Sequence, residues 1–315
     1  MNEMETQTKR RDRALPIAAM LVANTIYGVG YMFERMALLA EGSTPLVLLS
    51  SRFLISAVIL VLIALFSGLR FSLHGRPLRP LLILMIAEPV FYVFETYGIH
   101  YTNATFGGVA SSAVPVFSIL LAAIFLHEYP RWYQLLFCAL PVAGVALMAI
   151  SGNEIGVVSP IGVVMLALSC LTAAAYKTEN RYAARTFSPL ERALAITLFA
   201  ALAFTVAALV SVRFDLKTYF RPWTQTQFVL PVLELGVMSS IVAMLLINYA
   251  AGKVSVMRMS VFGAIMTVVS AVSGVLFLGE PMPPMSIVGA ALAVVGVWLV
   301  NLPPREKKQR DPTCK

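Results

Sequence analysis

Charge is scarce in this sequence. Asp, Glu, Lys and Arg make up 13% of its 315 residues, and apolar residues make up 59%. A soluble domain has about 25% charged and about 45–50% apolar residues, so an ordinary soluble enzyme is excluded. Cysteine is scarce as well. Cys138, Cys170 and Cys314 show no CxxC or metal-ligand spacing, so neither a disulfide framework nor a thiolate metal site is expected. Two of them fall in apolar stretches, where a buried free thiol is the ordinary reading. The three histidines, His74, His100 and His127, form no HExxH pattern. GxSxG, P-loop and dinucleotide fingerprints are missing too. Gly28-Val29-Gly30 lies inside an apolar run rather than after a strand. These gaps argue against an enzyme, a metal site and a cofactor.

Long apolar runs take the place of what is missing. Mean hydropathy is +0.81. Ten stretches, near 15–33, 45–66, 80–97, 104–126, 132–150, 160–178, 188–210, 229–249, 257–278 and 284–302, approach the roughly 20 residues that span a bilayer. Short connections rich in Pro, Gly, Asn or charge separate them. The expected fold class is therefore an all-α integral membrane protein with ten transmembrane helices. The longest polar stretches are the two tails, 1–14 and 303–315, and the segment 213–227. Lys9-Arg10-Arg11 precedes an apolar run with no convincing cleavage site, which reads as an uncleaved first helix rather than a signal peptide.

The net charge of +8 is explained by membrane orientation, not by nucleic acid. With the N-terminus in the cytoplasm and ten alternating spans, 19 of the 24 Lys and Arg fall in cytoplasmic segments, Lys177 and Arg192 among them. Arg35, Arg213, Lys217 and Arg221 fall outside, and Arg52 lies within a span. The positive-inside rule then places both termini in the cytoplasm of a cell-membrane protein.

The chain also repeats itself. Phe125-Leu126-His127-Glu128 recurs as Phe277-Leu278-Gly279-Glu280, an offset of 152 residues. At that offset Tyr97 matches Tyr249, Gly144 matches Gly296 and Val145 matches Val297. Two halves, 15–150 and 151–302, follow. Five spans per half is an odd number, so the second half is inverted relative to the first. This is a pattern of secondary transporters, with the site between the halves near the midplane.

These residues carry a family resemblance. Thr102-Asn103-Ala104-Thr105 leading to Pro115 and then to Glu128 resembles the fourth span of the EamA-like branch of the drug/metabolite transporter superfamily. Phe277 to Glu280, Gly289-Ala290-Ala291-Leu292 and Gly296-Val297 resemble its last two spans. Where the family often has a proline in the ninth span, this chain has Thr267 opposite Pro115, so the two central helices are not expected to bend alike. The resemblance implies a ten-helix carrier of small organic metabolites, often working outward, over a range from amino acids and amines to sugars and drugs.

Ionisable residues inside spans point to a cavity or a partner. Glu88 and Glu95 are seven positions apart on the third span, so they share a face. Glu88 precedes Pro89, which kinks a helix and frees carbonyls. Arg52 lies about 10 Å in from the outer end of its span, and Glu34 and Glu234 lie in the outer half. Together they suggest an acidic pocket. Tyr31, Phe91 and Tyr92 are placed to line it and to hold an ammonium group through cation–π contact. Glu128 and Glu280 recur at span ends, where each carboxylate is expected to cap the helix that immediately follows. Lys177 and Glu179 read as a solvated helix end. Gly289, Ala293 and Gly296 read as packing or a dimer face. The expectation is gradient-driven or exchange export of a zwitterionic or cationic metabolite, an amino acid or amine, by a monomer or homodimer in lipid. The alternatives are a phosphate-sugar or organic-anion exchanger using Lys253 and Arg258, and a membrane-embedded enzyme or receptor.

Overall fold

The structure, a computed structural model, describes the backbone of residues 3–69, 75–125, 132–154, 156–254 and 256–300. Glu128 lies outside these residues, as does the side chain of Arg258. The described residues form helices α1 (Glu3–Leu38), α2 (Pro45–Phe66), α3 (Arg79–His100), α4 (Ala104–Ala110), α5 (Val114–Phe125), α6 (Trp132–Glu154), α7 (Pro160–Ala183), α8 (Pro189–Ser211), α9 (Leu216–Phe220), α10 (Thr226–Glu234), α11 (Met244–Ala251), α12 (Val256–Leu278) and α13 (Pro284–Val300). Six stretches are long and apolar enough to cross a membrane: Leu15–Leu38, Pro45–Phe66, Arg79–His100, Pro160–Ala183, Pro189–Ser211 and Thr226–Ala251. Four shorter apolar helical stretches, Ala104–Ser118, Ala139–Glu154, Phe262–Leu278 and Pro284–Val297, accompany them.

Helix boundaries follow local chemistry. Thr44 caps α2 by accepting from Val47 N–H, and Pro45 opens that helix. Asn103 caps α4 by accepting from Phe106 N–H at 2.7 Å. Ser188 and Glu191 form a reciprocal capping box at the start of α8. The segment 213–227, expected as a polar loop, is folded in part, with α9 and a tight turn at Arg221–Thr224.

Two of the expected spans are not uniform helices. The stretch 104–126 breaks at a 3₁₀ turn, Ser111–Ala113. Pro115 explains the break, because its ring opposes the carbonyl of residue i−4, which is Ser111. The matching helix α12 carries Thr267 and runs without a break, as the departure at that position predicts. Between α10 and α11 the backbone widens into a π-helical segment, Leu235–Ala243.

The bundle is held by pairs that join the first half to the second. α3 packs on α7, α2 on α8, α1 on α12 and on the α10–α11 stretch, α4 on α12, and α6 on α13. Glycine permits the last pair to close. A Cβ on Gly144 would lie 2.3 Å from the Gly289 carbonyl oxygen, and one on Gly296 would meet Pro141 at 2.3 Å. The stripe Gly289, Ala293 and Gly296 thus packs inside the molecule, the first of the two readings open from the sequence.

Candidate functional site

A cavity between the halves is walled by α1, α2, α3, the α4–α5 break, α7, the π segment and α12. The space within its lining, open solvent at the mouth included, is about 940 Å³. Of the eight residues predicted to form a pocket, seven line it: Tyr31, Glu34, Arg52, Glu88, Phe91, Tyr92 and Glu95. The tertiary fold brings them together from three helices. Glu234 does not line it. It ends α10, directly before the π segment, and accepts from Ser239 at 3.4 Å.

Most of the charge in the cavity is already spoken for. Glu34 lies in the last turns of α1 and is 3% exposed. It accepts from Thr96 and lies 3.6 Å from Arg52. Arg35 donates to the Ile99 and His100 carbonyls. Arg52 donates through Nε to Ser240 at 2.7 Å, and its guanidinium lies 4.4 Å from the Tyr92 ring centre. Tyr92 lines the cavity with one aromatic face already against the protein's own cation. Glu95 accepts from the Tyr31 hydroxyl at 2.6 Å.

Glu88 and Glu234 each keep a buried Oε2 with no hydrogen-bond partner, and of the two only Glu88, which is 4% exposed, lines the cavity. Glu88 sits beside Pro89, inside α3, and it faces the cavity. A buried carboxylate oxygen left unpaired is costly, so its position needs a reason outside the fold itself.

Two residues were assigned elsewhere by the sequence. Lys177 is not part of a solvated helix end. It lines the cavity together with Tyr176, one helical turn and a half before α7 ends at Ala183. The signal that could have found it is an ionisable residue at the end of an apolar run. The charge count had placed it in a cytoplasmic segment. Arg192 was counted there as well, but it is 1% exposed. It donates to both oxygens of Asn180 and to the Asn248 carbonyl at 2.6 Å. Asn180 in turn donates to Asn248 at 2.8 Å. This knot ties the ends of α7 and α11 to the start of α8.

At the opposite end of the bundle, Glu280 departs from its predicted cap. It accepts from the Ala104 and Thr105 amides, each at 2.8 Å, and so caps α4 in the other half. Its own next helix follows Pro281 and Pro283 and opens on Pro284, none of which has an N–H to offer. Gly279, at φ 63, turns the chain so that the carboxylate points back to α4.

The sequence model of the EamA-like transporter family matches residues 14–150 and 160–302. The chain belongs to that family. It is accordingly a multi-pass membrane protein of a transporter family. Among relatives of this EamA protein, "Uncharacterized transporter YcxC" of Bacillus subtilis is 30% identical over 94% of the chain and 95% of its own length. A "Probable terminal-alkyne amino-acid exporter" of Streptantibioticus cattleyicolor is 27% identical over 67% of the chain and 68% of its own length. A solved structure titled "Crystal structure of protein" shares the fold, with a TM-score of 0.63 over 92% of this chain and 96% of that one, at 16% identity.

Proposed function

We propose that this EamA protein is a secondary exporter of a small ammonium-bearing metabolite, an amino acid or amine, with Glu88 as the anchor for the ammonium group. The observation that carries this reading is the unpaired, buried Glu88 Oε2 facing the cavity. A cationic group would supply the charge-assisted contact that the protein leaves unmade. Glu95 and Tyr31 stand beside it as the second carboxyl–hydroxyl pair, placed to carry a coupling proton. The pair of Arg52 and Glu34 positions this wall, and Phe91 shapes it. Glu234 supports the adjoining π segment. The amino-acid exporter among the relatives favours the same substrate class.

The architecture under this reading is ten spans in two inverted five-helix repeats, 15–150 and 151–302. What supports it is the 152-residue offset and a packing pattern that survives exchange of the halves, with α2 on α8 and α6 on α13. Alternating access then rocks one repeat against the other around the cavity. The charge asymmetry of the connections favours both termini in the cytoplasm of a cell membrane. Of the two residues of the anion-exchanger alternative, Lys253 is already engaged, donating to the Tyr249 hydroxyl at 2.8 Å and lying over that ring.

The test is transport in proteoliposomes of a labelled pool of amino acids, amines and sugar phosphates, with and without an imposed proton gradient. The expected result is movement of amino acids or amines, lost in Glu88→Gln while that protein still inserts. Normal transport by Glu88→Gln, or transport of sugar phosphates alone, overturns the reading.

A further inference from the structure

Lys177 is the second unclaimed charge in the cavity. Among the described residues its ammonium makes no ion pair and no hydrogen bond. It lies about 9 Å inside the end of α7, where a charge is costly unless it faces water or a partner. Arg52, the other cation in the wall, is held by Ser240, Glu34 and Tyr92. Lys177 has nothing of the kind. It stands beside Tyr176, and both line the same cavity as Glu88. The helices that carry the two charges, α7 and α3, pack directly against each other, yet Lys177 and Glu88 do not pair.

One cavity thus presents an unpaired cation and an unpaired carboxylate oxygen on adjacent walls. Neither completes the other. A monoamine would satisfy Glu88 and leave Lys177 without a counter-charge as water is excluded. A simple anion would meet Lys177 but also three carboxyl groups, Glu34, Glu88 and Glu95. Only a ligand with both charges leaves no group unpaired.

We propose that Lys177 binds the carboxylate of a zwitterionic substrate whose ammonium rests on Glu88, so that this protein carries amino acids in preference to simple amines. The proposal rests on the reading of the cavity as the substrate site. Lys177 then decides selectivity, and Glu88 supports binding of either class.

The experiment uses the full-length protein in proteoliposomes. The probes are the twenty common amino acids, the amines left by their decarboxylation, and their methyl esters. Wild type is expected to favour the transported amino acid over its amine and its ester by about tenfold or more, the worth of one charge-assisted contact. Lys177→Gln is expected to lower that amino-acid-to-amine ratio by about tenfold, and Lys177→Arg to restore most of it. Wild type that handles ester and amine as well as the amino acid overturns the proposal, and this comparison needs no variant to fold. An unchanged ratio in Lys177→Gln overturns it too. In both cases the Glu88 reading stands if Glu88→Gln still loses amine transport. Transport of neither class by wild type overturns both readings together.

Discussion

At the scale of single residues, the cavity separates groups that hold the fold from groups that are left over. Glu34 and Arg52 belong to the first kind. Both are buried and each makes a further hydrogen bond, from Thr96 and to Ser240. Glu34→Gln leaves Arg52 as a buried charge without its counter-ion. It is expected to cost about 3–5 kcal/mol, read as a lowered melting temperature in detergent. Glu88 belongs to the second kind. Replacing it with Gln removes no contact within the protein through Oε2, so the melting temperature should hold or rise slightly while transport is lost. The two substitutions should therefore separate: Glu34→Gln moves stability first, and Glu88→Gln moves transport first. Glu88, Glu95 and Arg52 were readable from the sequence because an ionisable residue in an apolar run is conspicuous. Glu234 was equally conspicuous, but it is not among the residues that line the cavity, and which residues line a cavity depends on tertiary packing, which no spacing rule reports.

At the scale of elements, contacts between the halves decide how helices end. Glu280 holds two amides at the start of α4. Glu280→Ala strands both donors in a buried site and is expected to cost roughly 2–3 kcal/mol. Glu280→Gln, which keeps one carbonyl acceptor, should cost less. Thermal unfolding of the two variants against wild type checks the order. The knot at Arg192 is the counterpart at the opposite end of the bundle. Arg192→Ala leaves the Asn180 and Asn248 acceptors without their charged donor. It should destabilise by about 3 kcal/mol, again measured by thermal unfolding. Close packing of α6 on α13 has its own test. Gly144→Ala places a Cβ against backbone rather than against a flexible side chain, with an expected cost of about 1–3 kcal/mol. The sequence showed that Glu280 sits where a cap is needed. It did not show which helix is capped, because the nearest helix in sequence begins with prolines and the nearest in space belongs to the other half.

At the scale of the whole molecule, the proposed inverted arrangement predicts where each connection faces. In a background with the native cysteines replaced, Lys217→Cys and Arg185→Cys should label oppositely with a membrane-impermeant maleimide. Intact cells should expose only Lys217→Cys, and Arg185→Cys should label after permeabilisation. The reverse pattern would overturn the proposed orientation. Composition, hydropathy and the 152-residue repeat were enough by themselves to mark a helical membrane protein in two related halves. Bilayer thickness sets helix length, and apolar runs are local in sequence. The pairing of those helices was not determined in that way. Glu34 meets Arg52, Tyr31 meets Glu95, and Glu280 meets α4 because each helix is rotated by what packs behind it. The same rotation turns Lys177 into the cavity and buries Arg192. Helix length is a local property of the chain, but helix facing is settled only when the neighbouring helices are in place. For that reason tertiary structure alone decided which charges are paired and which remain free for a ligand.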